Sequence, residues 1–267
     1  MTKAFDAALG VAAAVAFGFL LLPLLALFVQ TSPAELWSAW TTAAARDALV
    51  VSFKTSAVAH VFIVGVGTPV AYLLATKRFR ARRVATALIE LPLVLPPAVA
   101  GIGLLAAFGR AGLLEADLPF TQGAVIAAVI FVASPFYVRL AIAAFESIDT
   151  EVLDAARTLG SAPWRTFWRV SIPLAARGLG AGSVLAFARG LGEFGATIMF
   201  AGNFQGVTQT LPLAIYSQLG LNFDVAIAIG VLLVVFSAIL LTAVKLVPAW
   251  ESLRSTSTFR SATSPSR

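Results

Sequence analysis

The chain has no cysteine, one histidine (His60) and only 13 Asp and Glu among its 267 residues. Without cysteine there is no disulfide framework and no thiol chemistry. One histidine, and no cluster of acids at ligand spacing, leaves no site of the usual zinc kind. A nucleophile–histidine–acid set would rest on His60 alone, with no obvious partner beside it. The phosphate-cradling Gly-Lys-Ser/Thr element is missing too. The only lysine followed by Ser or Thr is Lys54, and Phe53 precedes it, so the chain has no P-loop with which to hydrolyse ATP. Charge itself is scarce, at 12% of residues, where soluble domains carry about a quarter.

What fills the space is apolar. Hydrophobic residues make up 59% of the chain and the mean hydropathy is +0.91. Uncharged runs of about 20 residues are the mark of membrane spans. Six are predicted, at 7–29, 48–75, 88–108, 123–145, 174–201 and 225–247. The chain therefore reads as an all-α polytopic membrane protein with one transmembrane domain over 1–251. The first run exceeds a signal-peptide core and no convincing small-x-small site follows it, so it counts as a span. The Ser/Thr-rich stretch 252–267 has no apolar face and is expected to be a disordered tail.

The formal charge is +6, and its placement matters more than its size. Lys77, Arg78, Arg80, Arg82 and Arg83 follow the second span. Arg157, Arg165, Arg169 and Arg177 lie between the fourth and fifth. The other side has little beyond Arg46 and Arg110. This excess predicts that both termini and both basic loops are cytoplasmic. Topology and anionic lipid account for the basic residues without a nucleic-acid partner. The outward loops are short, so a transporter of this build needs a separate solute receptor.

The loop at 150–173 is the most informative stretch. Thr150 is a fair N-cap, and Glu151 and Asp154 put negative charge where a helix dipole favours it. Val152, Ala155, Ala156 and Leu159 recur at helical spacing. Gly160 is a natural stop. A second helix is expected from Ser161, with Pro163 in its first turn. Trp164, Phe167 and Trp168 form a stripe beside Arg165 and Arg169, as in an interfacial helix. Pro173 suits the start of the fifth span. Read from periodicity alone, the unit is either a connector or a docking knob for a cytoplasmic protein.

The order Asp154-Ala155-Ala156, three residues, Gly160, nine residues, Val170-Ser171-Ile172-Pro173 resembles the EAA loop of bacterial ABC importer permeases. That family has Glu-Ala-Ala, then Gly, then Ile-x-Leu-Pro at the same intervals. The departures here, Asp for Glu, Val for Ile and Ile for Leu, keep charge or shape. The resemblance implies that the loop is a coupling helix received by a cleft on an ATPase subunit. Asp154, Ala155, Ala156 and Gly160, with Glu151 beside them, would make that contact.

Two further stretches, 91–97 (Leu-Pro-Leu-Val-Leu-Pro-Pro) and 189–197 (Arg-Gly-Leu-Gly-Glu-Phe-Gly-Ala-Thr), together with 208–216, are similar to molybdate permeases, with sulfate permeases as near relatives. The likeness covers roughly residues 50–245. It implies a type I ABC importer permease in the inner membrane, with a homodimeric pathway and alternating access. It also implies two ATPase subunits that bind the ATP and Mg, no cofactor on this chain, and an extracytoplasmic oxyanion-binding protein. Sulfate, thiosulfate or tungstate is the neighbouring alternative for the cargo. A polytopic membrane enzyme is the alternative from another class, and it lacks convergent catalytic groups.

The pathway or gate residues expected are Pro96, Pro97, Arg189, Gly192, Glu193, Gly195 and Thr197. Glu193 is an acid deep in a span, costly unless satisfied, and Arg189 is four residues away on the same helix face. The pair is either a structural lock or part of a gate. Gly190, Gly192 and Gly195 permit either close packing or a hinge. Pro92, Pro96 and Pro97 break a span, which survives only against protein or a water-filled cavity. Thr197, Asn203, Thr208, Gln209 and Thr210 are expected to offer neutral donors near the outer mouth, or simply to be solvated. His60 is expected to be packed and hydrogen-bonded.

Overall fold

The structure is a computed structural model that describes residues 3–261, with side chains described as far as Thr242. Among the described residues all regular structure is helical. The helices are α1 (Lys3–Val29), α2 (Pro33–Trp40), α3 (Ala43–Thr76), α4 (Arg82–Val94), α5 (Pro97–Phe108), α6 (Gln122–Glu146) and α7 (Thr150–Thr158). Then follow α8 (Pro163–Thr166), α9 (Ile172–Leu191), α10 (Gly195–Ala201), α11 (Leu211–Leu219) and α12 (Phe223–Ser261). Five stretches are long and apolar enough to cross a membrane. The bent pair α4–α5 makes a sixth if it counts as one span. The expected tail at 252–267 falls on residues whose side chains, and for 262–267 everything, lie outside the described set.

Helix α6 is the hub. Its inner face of Val129, Ala133, Tyr137, Val138, Ala141 and Phe145 is buried against α3 and α9. Small residues on those partners let the backbones come close, which substitutes for the hydrophobic drive that lipid removes. A side chain at Gly178 would overlap Ala144, and one at Gly67 would meet the Tyr137 ring at 2.8 Å. Thr68 Oγ1 and Tyr137 OH are 2.6 Å apart, joining α3 to α6. By contrast α1 is exposed all round. Its surface of Phe17, Phe19, Leu20 and Leu22 suits acyl chains or another protein, not water.

Three local features depart from the straight-span reading. Span three is not one rod: α4 and α5 meet at 115°, at Leu95-Pro96, where proline removes the donors a continuing helix needs. Span five begins earlier than 174. Residues 163–191 run as a continuous helix through a π turn at Phe167–Ser171. There Ile172 N–H donates back to Phe167 O, and the widened turn accommodates Pro173, which has no N–H to give. The expected separate interfacial helix is therefore the foot of the span. Span five also stops at Leu191, and Gly195 starts a new helix. Helix α2 lies outside the expected spans, although its signal is local. Ser32 Oγ accepts from Glu35 N–H and Glu35 returns a bond to Ser32 N–H at 2.8 Å, with Pro33 opening the helix.

Candidate coupling loop and pathway break

Helix α7 is capped at both ends by its own sequence. The N-cap is Asp149 rather than Thr150; its carboxylate accepts from Glu151 N–H at 2.9 Å. At the other end Gly160 takes φ +79. Gly160 N–H donates to Arg157 O and Ser161 N–H to Ala156 O, at 2.9 and 3.0 Å. That paired arrangement closes a helix on a left-handed residue, which glycine adopts without a Cβ penalty. The following turn is tied by buried Thr166, whose Oγ1 donates to Ser161 Oγ and lies 3.3 Å from Ala162 O.

Only Leu153 of α7 is buried. Val152, Ala155 and Leu159 are open, Leu159 at 88%. Asp154 pairs with Arg157 at 2.8 Å on the exposed side. Ala156 is half-buried and Glu151 exposed. The helix therefore presents small and apolar side chains outward on a single anchor. The aromatic stripe divides. Trp164 and Trp168 are exposed, while Phe167 packs inward on Tyr72 at a ring separation of 4.8 Å and on Phe145. So the foot of the loop is wedged into the α3–α6–α9 core.

The second constellation lies where the two broken spans meet. A Cβ on Gly195 would stand 2.6 Å from Pro97 Cβ, and one on Gly101 would meet Ala196 O and Met199 Cβ, each at 2.7 Å. The break at Leu95–Pro96 and the break at Gly192–Phe194 are thus pressed against each other. Glu193 sits in the second break, 2% exposed. Its Oε1 accepts from Ala196 N–H at 2.8 Å, capping α10. Its Oε2 is 2.7 Å from Arg189 Nη1, an ion pair without ideal hydrogen-bond alignment. The Arg189 guanidinium lies 6.0 Å from the Phe136 ring centre on α6. Thr197 is fully buried and its hydroxyl has no bonding partner. Gly192 is exposed beside them. All seven pathway candidates therefore fall on this junction or within three residues of it.

The outer polar set does something else. Gln209 Nε2 donates to Asn203 Oδ1 at 2.9 Å and to Ser217 Oγ at 3.2 Å, and Asn203 Nδ2 donates to Ser217 Oγ at 2.7 Å. Thr208 Oγ1 accepts from Phe204 N–H. Thr208, Gln209 and Thr210 are all buried. The donors expected to greet a solute, or to be solvated, mostly hold the 202–211 turn together. His60 is packed as expected, with Nε2 2.8 Å from Ser183 Oγ and its ring edge-on to Phe187.

Two charged residues escaped the sequence reading. Arg139 and Glu90, on α6 and α4, face each other at 3.8 Å. The available signal was a charge interrupting an apolar run. Two turns toward the loops, Arg82 and Glu146 form a second ion pair between the same two helices. Among the described residues no group of three His, Cys, Asp or Glu is placed to hold a metal.

The family model described as binding-protein-dependent transport system inner membrane component matches residues 67–250. Over 233 residues the chain is 45% identical to the molybdenum transport system permease protein of Mycobacterium tuberculosis, covering 85% of this chain and 88% of that one. It is 41% identical over 180 residues to the Escherichia coli K12 protein of that description, covering 64% and 78%. In fold it is similar to a chain of a bacterial alginate ABC transporter solved with an alginate pentasaccharide-bound periplasmic protein. The TM-score is 0.74 at 16% identity, covering 90% and 92%. It is also similar to a chain of the methionine ABC transporter MetNI in inward-facing form, with TM-score 0.59 at 19% identity, covering 81% and 97%.

Proposed function

The chain belongs to the binding-protein-dependent transport system inner membrane components, and from that premise we propose that it is the permease subunit of an ATP-driven importer of molybdate. The observation that carries the coupling role is α7. It is a helix with stable caps, one buried anchor in Leu153 and an outward face of Val152, Ala155 and Leu159. Such a face suits a cleft on another protein. Glu151, Asp154, Ala155, Ala156 and Gly160 make that contact, and the ATPase cleft receives them from the cytoplasm, where the basic loops and both termini lie. The cargo rests on the relatives, which are described as molybdenum transport permeases.

Two copies enclose the pathway, and two ATPase subunits supply the work that a chain without a P-loop does not generate. A loaded extracytoplasmic binding protein delivers the anion to the outer loops. ATP-driven closure of the ATPases pulls on α7. Because Phe167 wedges the same loop into Tyr72 and Phe145, that pull reaches α3, α6 and α9 together. Between the two openings of the alternating cycle the gate is the Pro96–Pro97 and Gly192–Gly195 junction, with Arg189, Glu193 and Thr197 holding its shape.

The test is uptake of labelled molybdate into vesicles holding the full complex with its ATPase and binding protein. Ala156→Arg and Gly160→Arg are expected to abolish ATPase co-purification and uptake together. Intact assembly and uptake in both variants would defeat the docking role. Sulfate taken up in preference to molybdate would move the cargo to the neighbouring oxyanion class.

A further inference from the structure

The C-terminal half of α6 is buried on almost every side, and the stripe left exposed in its last three turns is Arg139, Ala143 and Glu146. Their spacing of four and three places them on one face. Arg139 is 69% exposed, seven residues before the end of the helix, which is about 10 Å inside it at 1.5 Å per residue. On one flank α4 contributes Glu90, 3.8 Å from Arg139, and Arg82 against Glu146. On the other flank α9 contributes Arg189, stacked near Phe136, the residue one turn before Arg139.

This face differs in kind from the lipid-facing surfaces. From residue 57 to residue 73 the exposed positions of α3, Val58, Val61, Phe62, Val66 and Leu73 among them, are all apolar. Charged side chains inside a span face protein or a water-filled cavity, because hydrocarbon offers them no partners. The charged stripe therefore looks onto water or protein rather than lipid. It runs from the Arg189–Glu193 junction toward the basic loop at 77–83.

The geometry points to Arg139 as an anion-contacting residue of the inward route, taking a tetrahedral oxyanion dianion after it leaves the Pro97–Gly195 junction, with Glu90 as the counter-ion it releases. This rests on the permease reading above. The ion pair is long and exposed at both ends, Glu90 at 38%, so its net strength is small. A doubly charged anion competes for the guanidinium, whose planar fork suits two oxygens at once. The same looseness keeps the contact weak enough to let the anion leave, as conduction requires.

The chain lacks cysteine, so a single introduced thiol reports alone. In the assembled transporter in native membranes, Ala143→Cys is treated from the cytoplasmic side with anionic and cationic methanethiosulfonates, with Val61→Cys as the lipid-facing control. The anionic reagent is expected to react about fivefold faster at position 143, the order set by the loosely paired Arg139 one turn away in water, since Glu146 on the other side is neutralised by Arg82. Arg139→Gln should abolish that preference and lower molybdate uptake at least about tenfold, while Arg139→Lys retains part of it. A thiol at 143 that is inert, that prefers the cation, or that cross-links to the second copy overturns the inference, and so does normal uptake by Arg139→Gln. If Arg139→Gln fails to assemble, the reagent preference in the otherwise native chain decides alone. Should the native transporter carry molybdate while position 143 is inert, the inference fails by itself. Should the anion preference hold while no oxyanion is taken up, the permease reading fails instead.

Discussion

Glu193 carries two jobs with its two oxygens. Oε1 caps α10 and Oε2 neutralises Arg189. Glu193→Gln keeps an acceptor for Ala196 N–H but leaves Arg189 without its counter-charge; Glu193→Ala loses both. Removing one partner of a buried pair costs about 3–5 kcal/mol, and Arg189 at 28% exposure brings the value to the low end. The expected order of thermal stability in detergent is native, then Gln, then Ala. Equal melting of Gln and Ala would show that the cap contributes nothing. Gly195 makes a sharper case. An added methyl would stand 2.6 Å from Pro97 Cβ, an atom of a ring with no rotamer to turn aside. Gly195→Ala is expected to cost about 1–3 kcal/mol through overpacking, read as a lowered melting temperature. A methyl at Gly192 would come no nearer than 3.7 Å to its closest neighbour, Ala188 O, so Gly192→Ala should change little.

At the level of elements, much was legible from sequence and some was not, for physical reasons. Membrane spans announce themselves because a 20-residue uncharged run has few other fates. The breaks at Pro96–Pro97 and Gly192–Gly195 were legible because backbone restriction is a local property. That the two breaks touch was not, since the contact joins residues almost a hundred positions apart. The polar stretch 203–210 was visible as polar, yet its role depends on Ser217 and the Leu213 carbonyl, which are chosen by folding. Thr150 is a fair cap by residue type, but it starts the helix, and Asp149 caps it by reaching Glu151 N–H. Leu153 was missed because one leucine among alanines has no distinctive pattern. It supports a clear expectation. Leu153→Ala removes the only buried side chain of α7 and should loosen the loop without altering its outward face. Co-purified ATPase should fall, and amide exchange over 150–160 should quicken. Unchanged exchange would mean that the caps alone hold the helix.

The whole molecule is ordered by where its charges sit. Basic residues at 77–83 and 157–177 lie on one side of the spans, and loop charge sets orientation. The opposite side holds the Arg110–Asp117 pair, 2.8 Å apart and exposed, which adds almost no net charge. Single cysteines at Arg80 and Thr158 should therefore label from the cytoplasm, and one at Leu114 from outside. Helix α1 gives a stricter test of the same rule. It is exposed all round within the subunit, so the bundle of α3, α6 and α9 does not need it for packing. Removing residues 3–30 also changes the number of crossings by one. Were orientation set by the first span, the remaining spans would invert; set by the basic loops, they keep their sense and the new N-terminus lies outside. The expected result is that Arg80→Cys in the shortened chain still labels from the cytoplasm. Labelling from outside would show that α1, and not the cluster at 77–83, directs insertion.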